Sequence, residues 1–312
     1  MSDTHSSMVS NSLLHQWTLD WYALEARDLP WREQGTSPWG VLVSEVMLQQ
    51  TPVVRVDPVW RQWMSRWPSP GALAAAAPGN AVRVWGRLGY PRRALRLHAA
   101  AVTMVERHDG EVPDTEAELL ALPGVGGYTA AAVASFAFGL RAAVVDTNVR
   151  RVLARVVSGS EQAAPSLTRA ETDLAMSVLP EDEPTTRRWN VAVMELGALI
   201  CRARSPRCGS CPLVGLCAWQ IAGRPAYEGP VRRTQSWHGT DRQVRGSVMA
   251  VMRDATGPVT AARLASAWPG NPAQLERCVD SLVVDGLLEP LSRHRFQLPG
   301  PTDGGSRSED AG

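Results

Sequence analysis

Leu122-Pro123-Gly124-Val125-Gly126-Gly127 decides the reading of this chain. The stretch lies between two segments of helical character. Upstream, residues 115–121 place Glu116 and Glu118 in a first helical turn, where the helix dipole favours acids. Downstream, an Ala-rich run opens at Tyr128. Glycine here permits positive φ and close approach of another backbone. The amide N–H groups that open the second helix point outward, which makes a ready anion site. A plain helical-hairpin turn would read the same from these six residues alone, so the rest of the chain has to choose.

Helical periodicity dominates elsewhere, and no period-2 alternation is long enough for a sheet core, so the fold class is all-α. Ser37 and Pro38 read as N-cap and first residue of a helix reaching about residue 50, stopped by Pro52. Pro/Gly punctuation follows at 68–71, 78–79 and 89–91, with helices between. A Pro/Gly/Arg stretch at 223–240 reads as a linker. Beyond it come helices over 244–252, 260–268 and 272–285 and a short hairpin around 288–298, a winged-helix-like module spanning 241–299. Residues 1–11 and 300–312 read as disordered tails.

The 312 residues suffice for two modest domains or three small ones, and 44% hydrophobic content supports a packed core. The longest apolar run, 129–137, falls short of the roughly 20 residues that span a bilayer, and residues 1–11 lack an apolar leader. No membrane association is expected, and the reading is of a cytoplasmic, nucleoid-associated protein. Net charge is +1, which excludes nothing. Locally, residues 83–107 hold six arginines against one acid, Glu106, and residues 202–233 hold six against Glu228. Such patches contact phosphates or simply face solvent. All 32 basic residues are arginine; the chain has no lysine.

Four of the five cysteines, Cys201, Cys208, Cys211 and Cys217, fall within 17 residues. Their odd total and the missing leader argue against a disulfide framework. Four thiolates on one loop hold either a tetrahedral zinc or a cubane iron–sulfur cluster. Zinc ribbons pair two CxxC knuckles, whereas here a single CxxC is flanked by wider spacings, which suits a larger object. Arg202, Arg204 and Arg207 lie between the ligands, so a rigid loop there would present a phosphate-binding surface. Cys278 reads as a small buried hydrophobe.

Two carboxylates sit in contrasting settings. Glu45 lies mid-helix in Val41-Leu42-Val43-Ser44-Glu45-Val46-Met47-Leu48, either on a narrow exposed edge or buried. If buried, desolvation favours its neutral form and suits it to general-acid work. Asp146 follows apolar residues 142–145 and precedes Thr147-Asn148, where an N-cap belongs; backbone donors there are expected to keep it ionised. One neutral and one charged carboxyl is the division of labour that glycosidic cleavage needs.

Taken together, Ser44-Glu45-Val46-Met47-Leu48-Gln49-Gln50-Thr51, the hairpin at 122–126, Asp146-Thr147-Asn148-Val149-Arg150-Arg151-Val152-Leu153 and the four cysteines resemble adenine DNA glycosylases of the MutY type. These belong to the helix–hairpin–helix superfamily with endonuclease III. The resemblance spans residues 14–219. It implies a six-helix domain over 29–138 with the hairpin, and an iron–sulfur cluster domain over 12–28 and 139–222, with a 4Fe-4S cluster on the cysteines. It implies that Glu45 protonates adenine and that Asp146 stabilises the sugar cation with support from Asn148. Tyr128 matches a catalytic-site tyrosine of some relatives. Gln49, Gln50 and Tyr90 match residues that wedge into the duplex, Trp31 and Arg32 match a segment near the adenine pocket, and Leu122, Gly124, Val125 and Gly126 match the strand-gripping hairpin. The implied partner is double-stranded DNA with a mispaired adenine, bound by a monomer. Bifunctional relatives place a lysine at the Tyr128 position and attack the sugar with its amine. With no lysine available, hydrolytic, monofunctional action is expected.

Two departures stand out. The segment 241–299 is too short and too helical for the Nudix-like domain that many such enzymes carry to read 8-oxoguanine. Val191 follows Asn190 where some relatives place Glu or Gln near the adenine.

Overall fold

The computed structural model describes residues 11–229 and 238–300. The tails expected at 1–11 and 300–312 lie almost wholly outside the described residues, as does the middle of the expected linker, 230–237. In chain order the helices are α1 (Asn11–Glu25), α2 (Pro38–Leu48), α3 (Val53–Arg66), α4 (Pro70–Ala74), α5 (Pro78–Trp85), α6 (Arg92–Arg107), α7 (Glu116–Ala121), α8 (Gly127–Phe138), α9 (Thr147–Val156), α10 (Arg169–Ser177), α11 (Glu183–Leu199), α12 (Ala218–Ile221), α13 (Asp241–Asp254), α14 (Ala261–Ser266) and α15 (Pro272–Val284). Three short strands, β1 (Val259–Thr260), β2 (Glu289–Leu291) and β3 (Arg295–Gln297), complete the chain. The fold is all-α with one small sheet, as the periodicity predicted.

The chain divides into two compact units. The first comprises Met1–Val41, Asp114–Leu120 and Val125–Arg233. In it α11 packs against α1, α8 and α9. Its core holds Leu14, Val152, Leu153, Trp189, Val193 and Leu196, with Leu213, Cys217 and Trp219 from the cysteine segment. Local caps start the helices. The Asp146 side chain accepts from the amides of Asn148 and Val149 at the start of α9. Helix α10 opens on a capping box between Thr168 and Glu171, a T-x-x-E signal present in the sequence. Arg150 pairs with the same Glu171 at 2.7 Å and ties α9 to that box.

The second unit comprises Leu42–Pro113, Ala121–Gly124 and Thr234–Gly312. Its aromatic centre is Trp63, fully buried, with Trp67 and Trp85 edge-on at 4.7 and 5.7 Å between ring centroids. Helix α6 packs on α4 and α5. The C-terminal module also belongs to this unit: α13 packs on α15 and reaches α5. The expected hairpin of the module is one part of a three-stranded antiparallel sheet in the order β1-β3-β2, with Val259 opposite Phe296 and Pro290 opposite Phe296 on the other side. A two-residue strand paired with one some 36 residues later leaves no periodic trace. Pairing of Val259 and Thr260 also explains why α14 starts later than residue 260: Thr260 ends the strand and caps the helix through its hydroxyl, which accepts from the Arg263 amide.

Candidate active site

Asp146 anchors the best-defined polar network of the first unit. One carboxylate oxygen accepts from the amides of Asn148 (2.8 Å) and Val149 (2.7 Å); the other accepts from the Asn148 side-chain amide (2.7 Å). The Asn148 carbonyl oxygen accepts from Arg151 at 2.8 Å. Arg151 continues to the backbone carbonyls of Gly197 (2.7 Å) and Cys201 (2.6 Å). The aspartate is therefore joined to the first cysteine of the cluster segment through two side chains. Gly197 makes this possible, because a Cβ there would lie 2.6 Å from Cβ of Asn148. Backbone donors were expected to hold Asp146 firmly ionised. Instead, burial raises the carboxyl above the ordinary Asp value, and the Val149 and Asn148 donors and the Arg151 charge pull it back only in part. Tyr128, in the first turn of α8, packs with Val191 against a small cluster of Val41, Ala132, Phe136 and Val144.

In the second unit, Glu45 is buried at 5% exposure on α2, between fully buried Ser44 and buried Val46. The exposed-edge alternative is thereby removed. The carbonyls that follow it on α2 converge on Arg93: its guanidinium donates to Val46 (2.9 Å), Met47 (3.1 Å) and Gln49 (2.6 Å), and also to the Thr51 hydroxyl (3.0 Å) and Gly89 carbonyl (3.1 Å). Arg93 was counted in a basic surface patch; it is instead a buried hub, because the last turn of α2 offers carbonyls that no helix can satisfy. Burial pushes it down to about 10, so it stays charged at neutral pH. Gln50 and Tyr90, the two segments it joins, both adopt left-handed φ, 55° and 46°. Replacing Arg93 by Met strands these acceptors. We expect a loss on the order of 3–5 kcal/mol and a melting midpoint lower by about 10 °C, read by thermal denaturation; a drop under about 2 °C would contradict the hub.

The hairpin keeps its sequence-level logic. Gly124 has φ +80°, and a Cβ there would strike the Arg96 side chain at 2.6 Å. Nothing lies within 4 Å of a Cβ built at Gly126 or Gly127, and the Gly126 N-cap of α8 supplies no side-chain acceptor, so backbone can approach closely there. Leu122 and Val125 are buried, so only backbone is offered at those positions.

A residue that the sequence reading passed over is Glu195. It is fully buried on α11, accepting from Arg27 at 2.6 and 2.8 Å and from Arg32 at 3.0 Å. Those ion pairs hold its carboxyl below the ordinary Glu range despite burial. They also fix the short helical turn Pro30–Arg32, which carries buried Trp31. One buried nitrogen of Arg32, Nη1, has no hydrogen-bond partner among the described residues. The signal was present: Glu195 sits among apolar residues mid-helix, as Glu45 does.

Cys201, Cys208, Cys211 and Cys217 ring one recess of about 370 Å³, counting the space at its mouth. The four sulfurs thus come from one loop that encloses a single recess, with the partly buried Cys201, Cys208 and Cys211 packed against the core beside buried Cys217. Burial pushes the Cys211 thiol up to about 12, and the other three cysteines push the same way. Four thiolates there need a cationic occupant that displaces their protons. Arg155 supplies further positive charge: it is 1% exposed, lies 3.5 Å from the Cys201 sulfur and stacks 4.8 Å from the Trp219 centroid. The donor set fits an iron–sulfur cluster.

Comparison with known proteins agrees. Residues 43–176 match the family described as HhH-GPD superfamily base excision DNA repair protein, and residues 201–217, first cysteine to last, match the iron–sulfur binding domain of endonuclease III. The adenine DNA glycosylase of Mycolicibacterium smegmatis is 53% identical over 288 residues, covering 92% of this chain and 96% of that protein. Among solved structures, a thermostable thymine-DNA glycosylase aligns with a TM-score of 0.63 at 28% identity, over 68% of this chain and 97% of that one. A trapped endonuclease III–DNA covalent intermediate aligns with a TM-score of 0.57 at 26% identity, over 70% of this chain and all of the other. The chain belongs to the adenine DNA glycosylases, within the helix–hairpin–helix superfamily of base excision DNA repair proteins, and carries their iron–sulfur loop.

Proposed function

We propose that this protein is a monofunctional glycosylase that hydrolyses the N-glycosidic bond of adenine mispaired with guanine or 8-oxoguanine, acting as a monomer on double-stranded DNA. Glu45 donates its proton to adenine at N7. The C1′–N9 bond breaks with its electron pair passing to the base, leaving an oxocarbenium-like sugar. Asp146 stabilises that cation, and water adds at C1′ and gives up a proton. The observation that carries this reading is the state of Asp146. It is desolvated and oriented on three donors, yet among the described residues no cationic side chain bonds it directly. Such a carboxylate gains most when positive charge appears beside it.

Other features support the remaining roles. Glu45 is buried, and burial favours the neutral form of a carboxyl, as an acid requires. Arg32 and Trp31 are held in one short helical turn by the Glu195 ion pairs, which fixes the segment proposed to flank the extruded base. Tyr128 lines the sugar side, Gln49, Gln50 and Tyr90 enter the duplex, and the uncrowded Gly126–Gly127 backbone lets a DNA strand approach the start of α8. When bound, the cluster supplies iron–thiolate bonds that tie four points of the Arg-rich loop together. Exchange of Cys211 for Ser is expected to remove the broad visible absorption of such a cluster and weaken duplex binding. Unchanged absorption in the purified variant would contradict the ligand assignment.

The deciding assay offers duplexes with adenine opposite 8-oxoguanine, guanine, cytosine or thymine. Base release is expected opposite 8-oxoguanine and guanine, sparing the adenine–thymine pair, with no borohydride-trapped internal adduct. A thymine-specific enzyme on this scaffold, the other reading that the structural likeness allows, would instead release thymine from a guanine mispair.

A further inference from the structure

The C-terminal module is fastened to the segment that carries Tyr90, from both sides. Before that segment, Arg83 donates to the carbonyls of Ala255 (2.6 Å) and Arg253 at the end of α13. Gly79 donates to Pro299 at 2.8 Å, and a Cβ at Gly79 would lie 2.5 Å from that same oxygen, so the approach is as close as glycine allows. After the segment, Arg92 pairs with Asp285 at 3.0 Å, and Asp285 also binds Arg245 of α13. Between these ties, Gly86, Gly89 and Tyr90 all adopt positive φ. Tyr90 is 44% exposed, and the first turn of α13 brings Arg242 over its ring, 4.8 Å from the centroid. Arg93 lies 5.7 Å from the same centroid.

We infer that the C-terminal module sets the Tyr90 ring for insertion into duplex DNA, with Arg242 as its positioning residue. The inference rests on the wedge role proposed for Tyr90 above. An exposed aromatic on a strained turn samples many orientations, and fixing one before binding removes part of the ordering cost. A guanidinium over the ring supplies that restraint without covering the edge that must stack. The exposed charged residues of α15, Glu276, Arg277 and Asp280, carry no net positive charge, so a winged-helix grip through that helix has no electrostatic support.

The test uses the full, cluster-loaded chain and a duplex pairing 8-oxoguanine with an uncleavable 2′-fluorinated deoxyadenosine, with 2-aminopurine beside the mispair to report unstacking. Arg242 is exposed, so its loss leaves folding intact, which thermal denaturation verifies. Expected for Tyr90→Ser is binding weaker by about tenfold and loss of the fluorescence rise. Expected for Arg242→Ala is about fivefold weaker binding and a smaller fluorescence rise, with the saturating single-turnover rate on cleavable duplex within about twofold of wild type. In the Tyr90→Ser background, Arg242→Ala is expected to do nothing further, because it acts through the ring. The same loss in both backgrounds would show an independent phosphate contact and overturn the inference, as would no effect in the wild-type background. If Tyr90→Ser alone changes nothing, the wedge reading fails first and the inference with it.

Discussion

Asp146→Asn is expected to lower the single-turnover rate of adenine release by about 10³-fold while leaving the fold intact. The asparagine oxygen still accepts from the Asn148 and Val149 amides, so the start of α9 keeps its cap and the melting midpoint moves by no more than about 3 °C. What disappears is the charge that answers the sugar cation. The pH dependence follows from burial. Because desolvation raises this carboxyl, wild-type activity is lost as pH falls through a range above that of an ordinary aspartate. Stability runs the other way. A raised folded-state value means that the proton stabilises the folded chain, a contribution present below the unfolded value and lost as pH rises through the folded one. Wild type therefore loses stability relative to Asp146→Asn between acid and neutral pH, measurable as diverging melting curves. Curves that stay parallel would remove burial as the cause.

Glu45→Gln is expected to lower the same rate by about 10²- to 10⁴-fold, the range for losing a general acid. Glutamine preserves volume and hydrogen-bonding capacity inside α2 but holds no transferable proton. The split between rate and binding is diagnostic: duplex affinity should change less than about threefold, because the lost interaction exists only in the transition state. A variant that binds poorly but releases adenine at the wild-type saturating rate would reassign Glu45 to substrate positioning. Arg93→Met offers the contrast, since its expected effect is on stability first.

Those residues also show how far the sequence alone reached. Helix starts were legible where a local cap defines them, at Ser37 and Asp146, because capping uses residues two or three positions away; the start of α8 was legible from the glycines of 124–127, with no side-chain cap. The cysteine segment was legible from spacing. The strand Val259–Thr260 was not, because its partner β3 lies far along the chain and two residues carry no pattern. Arg93 was misread as surface charge, since no local rule says that the unsatisfied end of α2 and the Gly86–Pro91 turn will meet around one guanidinium. The Arg151 link between Asn148 and the Cys201 carbonyl spans 50 residues and was invisible for the same reason. Glu195 was within reach: a carboxylate amid apolar helical residues was flagged at position 45 and passed over at 195. Its partners, Arg27 and Arg32, lie more than 160 residues upstream, and only the fold supplies them.

The most direct test of a glycosylase specific for adenine is to identify the base set free. The cluster-loaded chain is incubated with one duplex holding an 8-oxoguanine–adenine mispair and another holding a guanine–thymine mispair, and the low-mass products are separated and weighed. Free adenine from the first, an intact abasic strand beside it and nothing from the second is the expected result. Free thymine, or a strand cut without alkali, would contradict it.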